Sequence, residues 1–226
     1  MAIVQITDQE QTISDEALQA FDTYAGIKLE DDISDYPPLR KMQIEHHRWQ
    51  VTKLSNSADT SLAVMALGVV EEACWEMPMA VEADARDEQY DTLGDILIYT
   101  CAACTDLRID FMVLSKNFDP VHLVQPEGLD GLMNLYKGVG MLAHVVGKTR
   151  QLTRGYDRTI VGIVKTRIHA GAAIQRICSA VQWMCFANDW DASVLFQEVL
   201  TRVMKRDWTK NAMNGDAIID HTSSAT

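Results

Sequence analysis

Several absences narrow what this 226-residue sequence can be. No stretch approaches the roughly 20 apolar residues that span a bilayer, so no membrane partner is expected. There is no basic run, and the net charge of −12 at pH 7 disfavours a nucleic-acid partner. The first residues, MAIVQITDQEQTISDE, lack the basic start and apolar core of a signal peptide, so a cytoplasmic location is expected. Alternating β-branched runs bounded by turns, the mark of strands, are missing as well. Cysteine is sparse: Cys74, Cys101, Cys104, Cys178 and Cys185 all fall in apolar helical segments. Cys101-Ala-Ala-Cys104 has CxxC spacing, yet no second CxxC or nearby His pair completes a zinc site, and no strand precedes it. These residues read as small buried side chains. What remains, 47% hydrophobic and 23% charged, is ordinary for a globular protein with a proper core.

The apolar spacing predicts helix almost throughout. Ser14 caps a short helix through Tyr24, ended by Gly26, and the linker LEDDISDYPP follows. Pro38, suited to a first turn, opens a helix to about Leu54. A long helix is expected from about Ala58 to Glu82, kinked or ended by Pro78. Another spans about Glu88 to Leu107, and a short one begins near Asp110. NFDPVHLVQPEG is a loop. Helices at about Leu129–Leu152, Thr159–Ala187 and Asp191–Asp207 follow, then a polar tail. The fold class expected is all-α, an antiparallel helical bundle. Its divisions are 1–37, 38–117, a loop at 118–127, 128–208 and a tail at 209–226.

Two acidic clusters fall on consecutive helices, Glu71, Glu72 and Glu76 in GVVEEACWEM, then Asp91 and Asp95 in YDTLGDILIY. Carboxylates four residues apart share one side of a helix, and both clusters interrupt apolar sequence, where an unpaired charge is costly. If the two helices pack antiparallel, the carboxylates converge. Their repulsion then raises pKa values or recruits a cation, and an all-oxygen cluster suits Mg²⁺ or Mn²⁺.

The halves of the chain look like copies. TDLRIDFMVLS matches ANDWDASVLFQ, each a turn with an Asp opening a helix. Pairing Gly68 with Gly140 and Asp110 with Asp191 puts Ala143, His144 and Lys148 in place of the three glutamates, and Arg176 in place of Asp95. The second copy thus lacks the acidic site. Residues 38–117 carry a net −6 and residues 128–208 a net +5. An acidic half beside a basic half suits a metal complex of a polyphosphate; electrostatic docking of the two halves explains it equally.

With EExxE on one helix and ExxD on the next, the chain resembles the MazG-like nucleoside triphosphate pyrophosphohydrolases, a superfamily that includes dimeric dUTPases, dCTP pyrophosphatase and phosphoribosyl-ATP pyrophosphatase. HHRWQ, GVVEEACWEM and LGDILIYTCAAC carry the likeness over most of residues 40–115, and VMKRDWTKNAMNG is similar to the closing segment of some members. The resemblance implies a MazG-like bundle whose acids bind Mg²⁺, water attack at the α-phosphorus, and a nucleoside monophosphate and pyrophosphate as products. It implies Glu71, Glu72, Glu76 and Asp95 as catalytic residues, and the i+4 pairs on the two helices give Glu72, Glu76, Asp91 and Asp95 as the expected metal ligands. It also implies a nucleoside triphosphate substrate, more specifically a deoxynucleotide. Because dimeric members build each site from two protomers, the second repeat is expected to stand in for a partner, as a pseudo-dimer within one chain that can itself form a homodimer.

The sequence departs from that pattern twice. Trp75 stands where the third Glu belongs, with Glu76 one residue late, and Thr92 stands at the Glu of ExxD. A bulge before Pro78 would re-aim Glu76 inward. Glu88 and Asp91 fit ExxD literally, one turn earlier.

By resemblance Trp49 borders the nucleobase, though a core Trp on an amphipathic helix fits as well. Lys53 is within reach of phosphate or snorkels at the surface. His46 and His47 point in different directions and read as surface or interface residues. Lys205 and Arg206 complement the last helix dipole or close over triphosphate. Tyr99, one turn past Asp95, is placed to orient a ligand or water. The alternative to an enzyme is a catalytically degenerate nucleotide-binding or interaction protein on the same scaffold. A ferritin-like di-metal bundle would need Glu-x-x-His pairs, which do not accompany the acids.

Overall fold

A computed structural model describes residues 32–53, 61–118, 131–152 and 155–205, and among these there is helix and turn but no strand. The helix expected from Ser14 to Tyr24, the loop residues 119–130, Arg206 and the tail lie outside the described residues.

Pro38, whose missing N–H is no loss in a first turn, opens α1, Pro38–Lys53. The buried face of α1 is unusually polar, with Gln43, His46 and Gln50 beside Leu39, Met42 and Ile44. Gln43 explains the choice. Its amide donates to the carbonyl of Ile109 (2.9 Å) and accepts from the N–H of Phe111 (2.9 Å). Arg40 pairs with the fully buried carboxylate of Asp110. The backbone groups of Ile109 and Phe111 and the Asp110 carboxylate are thereby satisfied, while the buried Nε of Arg40 has no hydrogen-bond partner among the described residues. His46 is only 2% exposed, which corrects its expected place at the surface. Burial, and to a lesser degree His47, pushes it down to about 3, so the imidazole is neutral.

The long acidic helix has three parts: α2, Leu62–Glu71; a π turn, Glu72–Glu76; and α3, Met77–Glu82. Pro78 does not end it. Proline has no N–H for the carbonyl four residues back, and its ring crowds that carbonyl. The widened turn before it accommodates both effects, and the N–H of Met77 bonds the carbonyl of Glu72, five residues back.

A tight turn with Asp84 at φ 51° leads into α4, Arg86–Leu107. The two helices form an antiparallel hairpin with a constant register. The N–H of Leu62 bonds the carboxylate of Asp106, Gly68 lies under the ring of Tyr99, and Gln89 donates to the carbonyl of Ala80. Arg108 then adopts φ 56°, Ile109 N–H returns to the carbonyl of Cys104 (2.8 Å), and Asp110 caps α5, Phe111–Ser115. A 3₁₀ turn, Lys116–Phe118, follows.

The second half holds α6, Gly131–Arg150, and α7, Ile160–Ala187, capped by Thr159. They too are antiparallel, with Gly131 against Trp183, Gly138 against Ile177, and Thr149 beside Thr166. Gly140 has nothing near its missing Cβ, so the close-approach glycine here is Gly138, not the Gly140 paired with Gly68 by sequence. After α7, Asp189 adopts φ 59°, Trp190 N–H returns to Cys185 (2.9 Å), and Asp191 accepts from Ser193 and Val194 to open α8, Ala192–Lys205. The turns at 104–110 and 185–191 are built alike.

One apolar core joins both halves. Helix α4 runs through it, with Ile96, Leu97, Cys101 and Cys104 wholly buried and Gly94 pressed against Val199 of α8. The Phe196 ring packs tilted against Phe111 and edge-on to Phe118 (5.3 and 6.5 Å between centroids). Burial pushes the thiols of Cys101 and Cys104 well above their usual range, as expected of packing residues. Cys74 differs: it is exposed on the π turn.

Candidate acidic site

The hairpin register decides which acids meet. Gly68 faces Tyr99, so one turn further along each helix Glu72 comes level with Asp95. The electrostatics agree. Glu72 is pushed up to about 9, first by burial and then by Asp95, Glu76, Glu71 and Asp91 in that order. Near neutral pH its carboxyl therefore holds a proton. Glu71 and Glu76 are exposed at the rim, whereas Glu72, Asp91 and Asp95 are half-buried. The π turn bears on the arrangement directly. Trp75, where the regular acidic pattern has its third Glu, is 67% exposed, and Glu76, one residue later, is within electrostatic reach of Glu72.

Helix α8 braces the acidic half of α4. Arg202 pairs with Asp91 (2.6 Å), Tyr90 donates to Glu198 (2.9 Å), and Arg86 lies over the Trp190 ring while donating to the carbonyl of Asn188. Arg202 is the residue missed by sequence reasoning. Its signal was available: it stands three positions before Lys205 and so shares its side of α8. Lys205 is exposed at the end of that helix.

The other candidates divide. Tyr99 is half-buried, its ring covering Gly68 one turn below Glu72. Trp49 is half-buried, packs against the core and stacks on His46 (5.7 Å, 22° between planes). Lys53 is exposed at the end of α1. Because Arg40 and Gln43 meet the far end of α4, α1 runs antiparallel to α4. That direction carries Trp49 and Lys53 toward the half bearing Tyr99 and Asp95.

The donor set is all carboxylate, which suits a hard cation. Among the described residues no three His, Cys, Asp or Glu converge in a geometry that could hold a metal ion. Mg²⁺ does not demand such a cage, because it keeps several waters and takes one or two carboxylates together with substrate phosphates. The residues placed to supply those carboxylates are Glu72 and Asp95, with Glu76 and Asp91 beside them. Compared with known proteins, the chain matches no family model, no curated protein and no solved structure.

Proposed function

We propose that this chain is a divalent-metal-dependent nucleotide pyrophosphohydrolase of MazG-like type, with Mg²⁺ or Mn²⁺ at the acidic hairpin. Its substrate is a nucleoside triphosphate, more specifically a deoxynucleotide. Water adds at the α-phosphorus, the α–β bridging bond breaks, and pyrophosphate leaves with the bond's electron pair, giving the monophosphate. The observation that carries this is Glu72. A half-buried carboxyl, held protonated first by its burial and then by the charge of four other acids, marks a deficit of positive charge that a cation would fill. When bound, the cation supplies neutralisation of the phosphates and a usable water near neutral pH. The chain's part is to hold Glu72 and Asp95 level across the hairpin and to brace Asp91 through Arg202. Exposed Lys205 and Lys53 offer further charge to the phosphates, and Trp49 a face to the base. The matching turns at 104–110 and 185–191 support the reading of α6 to α8 as a second copy, without the acidic site, that covers the first.

A second reading has its own support. Arg202 already neutralises Asp91, which favours a degenerate binding protein. Product analysis separates the two. Incubated with the eight common NTPs and dNTPs and Mg²⁺ or Mn²⁺, the enzyme yields monophosphate and pyrophosphate, whereas the binding protein yields neither. Asp95→Asn should then lower turnover by about two orders of magnitude or more, about 2.7 kcal/mol in barrier. Unchanged turnover and metal dependence in that variant would exclude Asp95 from the site.

A further inference from the structure

The opposite end of α4 carries a different chemistry. Asp106 lies eleven residues beyond Asp95, about 16 Å along the helix axis. There the last turn of α4 meets the ends of α6 and α7 around a cleft of about 380 Å³. Three arginines from separate places in the chain line it: Arg150 at the end of α6, Arg158 in the connection, and Arg167 in the second turn of α7. Two carboxylates line it as well, each accepting through one oxygen from neutral donors. Asp106 accepts the N–H of Leu62, and Asp157 accepts both the N–H and the hydroxyl of Thr159. Arg150 and Arg158 have no ion-pair partner among the described residues. The arginines also crowd other cations. Burial and the nearby Arg108 push Arg167 below its usual value, and Lys165 sits over the Tyr156 ring, 4.8 Å from its centroid. Tyr156 is in turn fixed by a 2.5 Å hydrogen bond with Nδ1 of His169. Its ring is therefore covered and not offered to a base.

We propose that this cleft binds a polyphosphate anion, through Arg150, Arg158 and Arg167, at a site separate from the acidic hairpin. Guanidinium groups suit phosphate oxygens because they donate in a planar fork, and the exposed Arg150 and Arg158 leave theirs open to a multivalent anion. The volume admits a chain of two or three phosphates, free or as the tail of a nucleotide. The inference does not depend on the hydrolase proposal.

The test is calorimetric titration of the whole chain in EDTA at fixed ionic strength, where the acidic cluster has no metal with which to hold phosphate. The probes are tripolyphosphate, pyrophosphate and ATP, with sulfate as the control. Tripolyphosphate should saturate one site per chain and bind more tightly than sulfate. Arg158→Gln and Arg150→Gln, both at exposed positions with folding verified by circular dichroism, should each weaken it roughly tenfold or more, as for a lost charge-assisted contact. Asp95→Asn should leave it unchanged. ATP binding more tightly than tripolyphosphate would identify a nucleotide as the source, and the reverse order a free polyphosphate. Absence of saturable binding, indifference to both arginine variants, or equal binding of sulfate would overturn the proposal.

Discussion

At the scale of single residues, Glu72 concentrates what is unusual here. Its carboxyl titrates at about 9 in the folded chain against an ordinary 4.5. Between those values the folded state keeps a proton that the unfolded state releases. Glu72 therefore favours folding only at the acid end. Stability from this group falls as pH rises through the window, at up to about 1.4 kcal/mol per pH unit, and levels off above about 9. A cation entering the cluster must displace the same proton. Titrating Mn²⁺ at pH 7.5 in two buffers of different ionisation enthalpy should thus show close to one proton released. Glu72→Gln should abolish that release and flatten the fall in stability with pH. Metal binding with no proton release in the wild type would contradict this. The i+4 spacing made Glu72 and Asp95 visible in sequence. Arg202 was passed over although it shares the side of Lys205 on α8, because whether that side meets α4 is decided by packing. His46 was missed for a related reason: α1 buries glutamines and a histidine, so apolar periodicity does not mark its inner face.

At the scale of elements, the packing of α4 sets the site. Gly94 admits Val199 of α8 so closely that a Cβ would overlap it, and this contact lies one residue from Asp95. Gly94→Ala should destabilise the fold by about 1–3 kcal/mol, since overpacking forces neighbours off their rotamers. A chemical denaturation midpoint measures it, and an unchanged midpoint would mean that α8 yields without cost. Most helices were legible in sequence within a few residues, because Asp110, Thr159 and Asp191 cap where they stand. The continuation through Pro78 was only half legible. Proline signals trouble for a helix, but whether the chain stops or widens is decided by what lies beyond it. Here Met77 and Ala80 are buried, and that burial rewards continuing.

At the scale of the molecule, one core spans the acidic and the basic half. Residues 1–120 alone would leave α2 without α6, and Phe111 and Gly94 without α8. That fragment should self-associate or precipitate, because its apolar faces lose their cover. Sedimentation of the purified fragment checks this, and a well-folded monomer would contradict the pseudo-dimer scheme. All-α architecture was readable from periodicity alone. The placement of charge was not: Glu72 meets Asp95 toward one end of α4, while Arg150, Arg158 and Arg167 line a cleft at the other, a consequence of packing and not of composition.

The π turn bears also on how this chain tolerates a change of length. A π turn is what a single added residue looks like when a helix confines it to one turn. Beyond the turn, Met77 and Ala80 are still buried and Ala80 still meets Gln89, so the neighbouring helix need not register the extra residue. The whole of the adjustment falls on Glu72 to Glu76. Changes of length at this point therefore fall on the turn that carries Glu72 and Glu76 together with the buried Ala73, making chain length itself a means of varying the site.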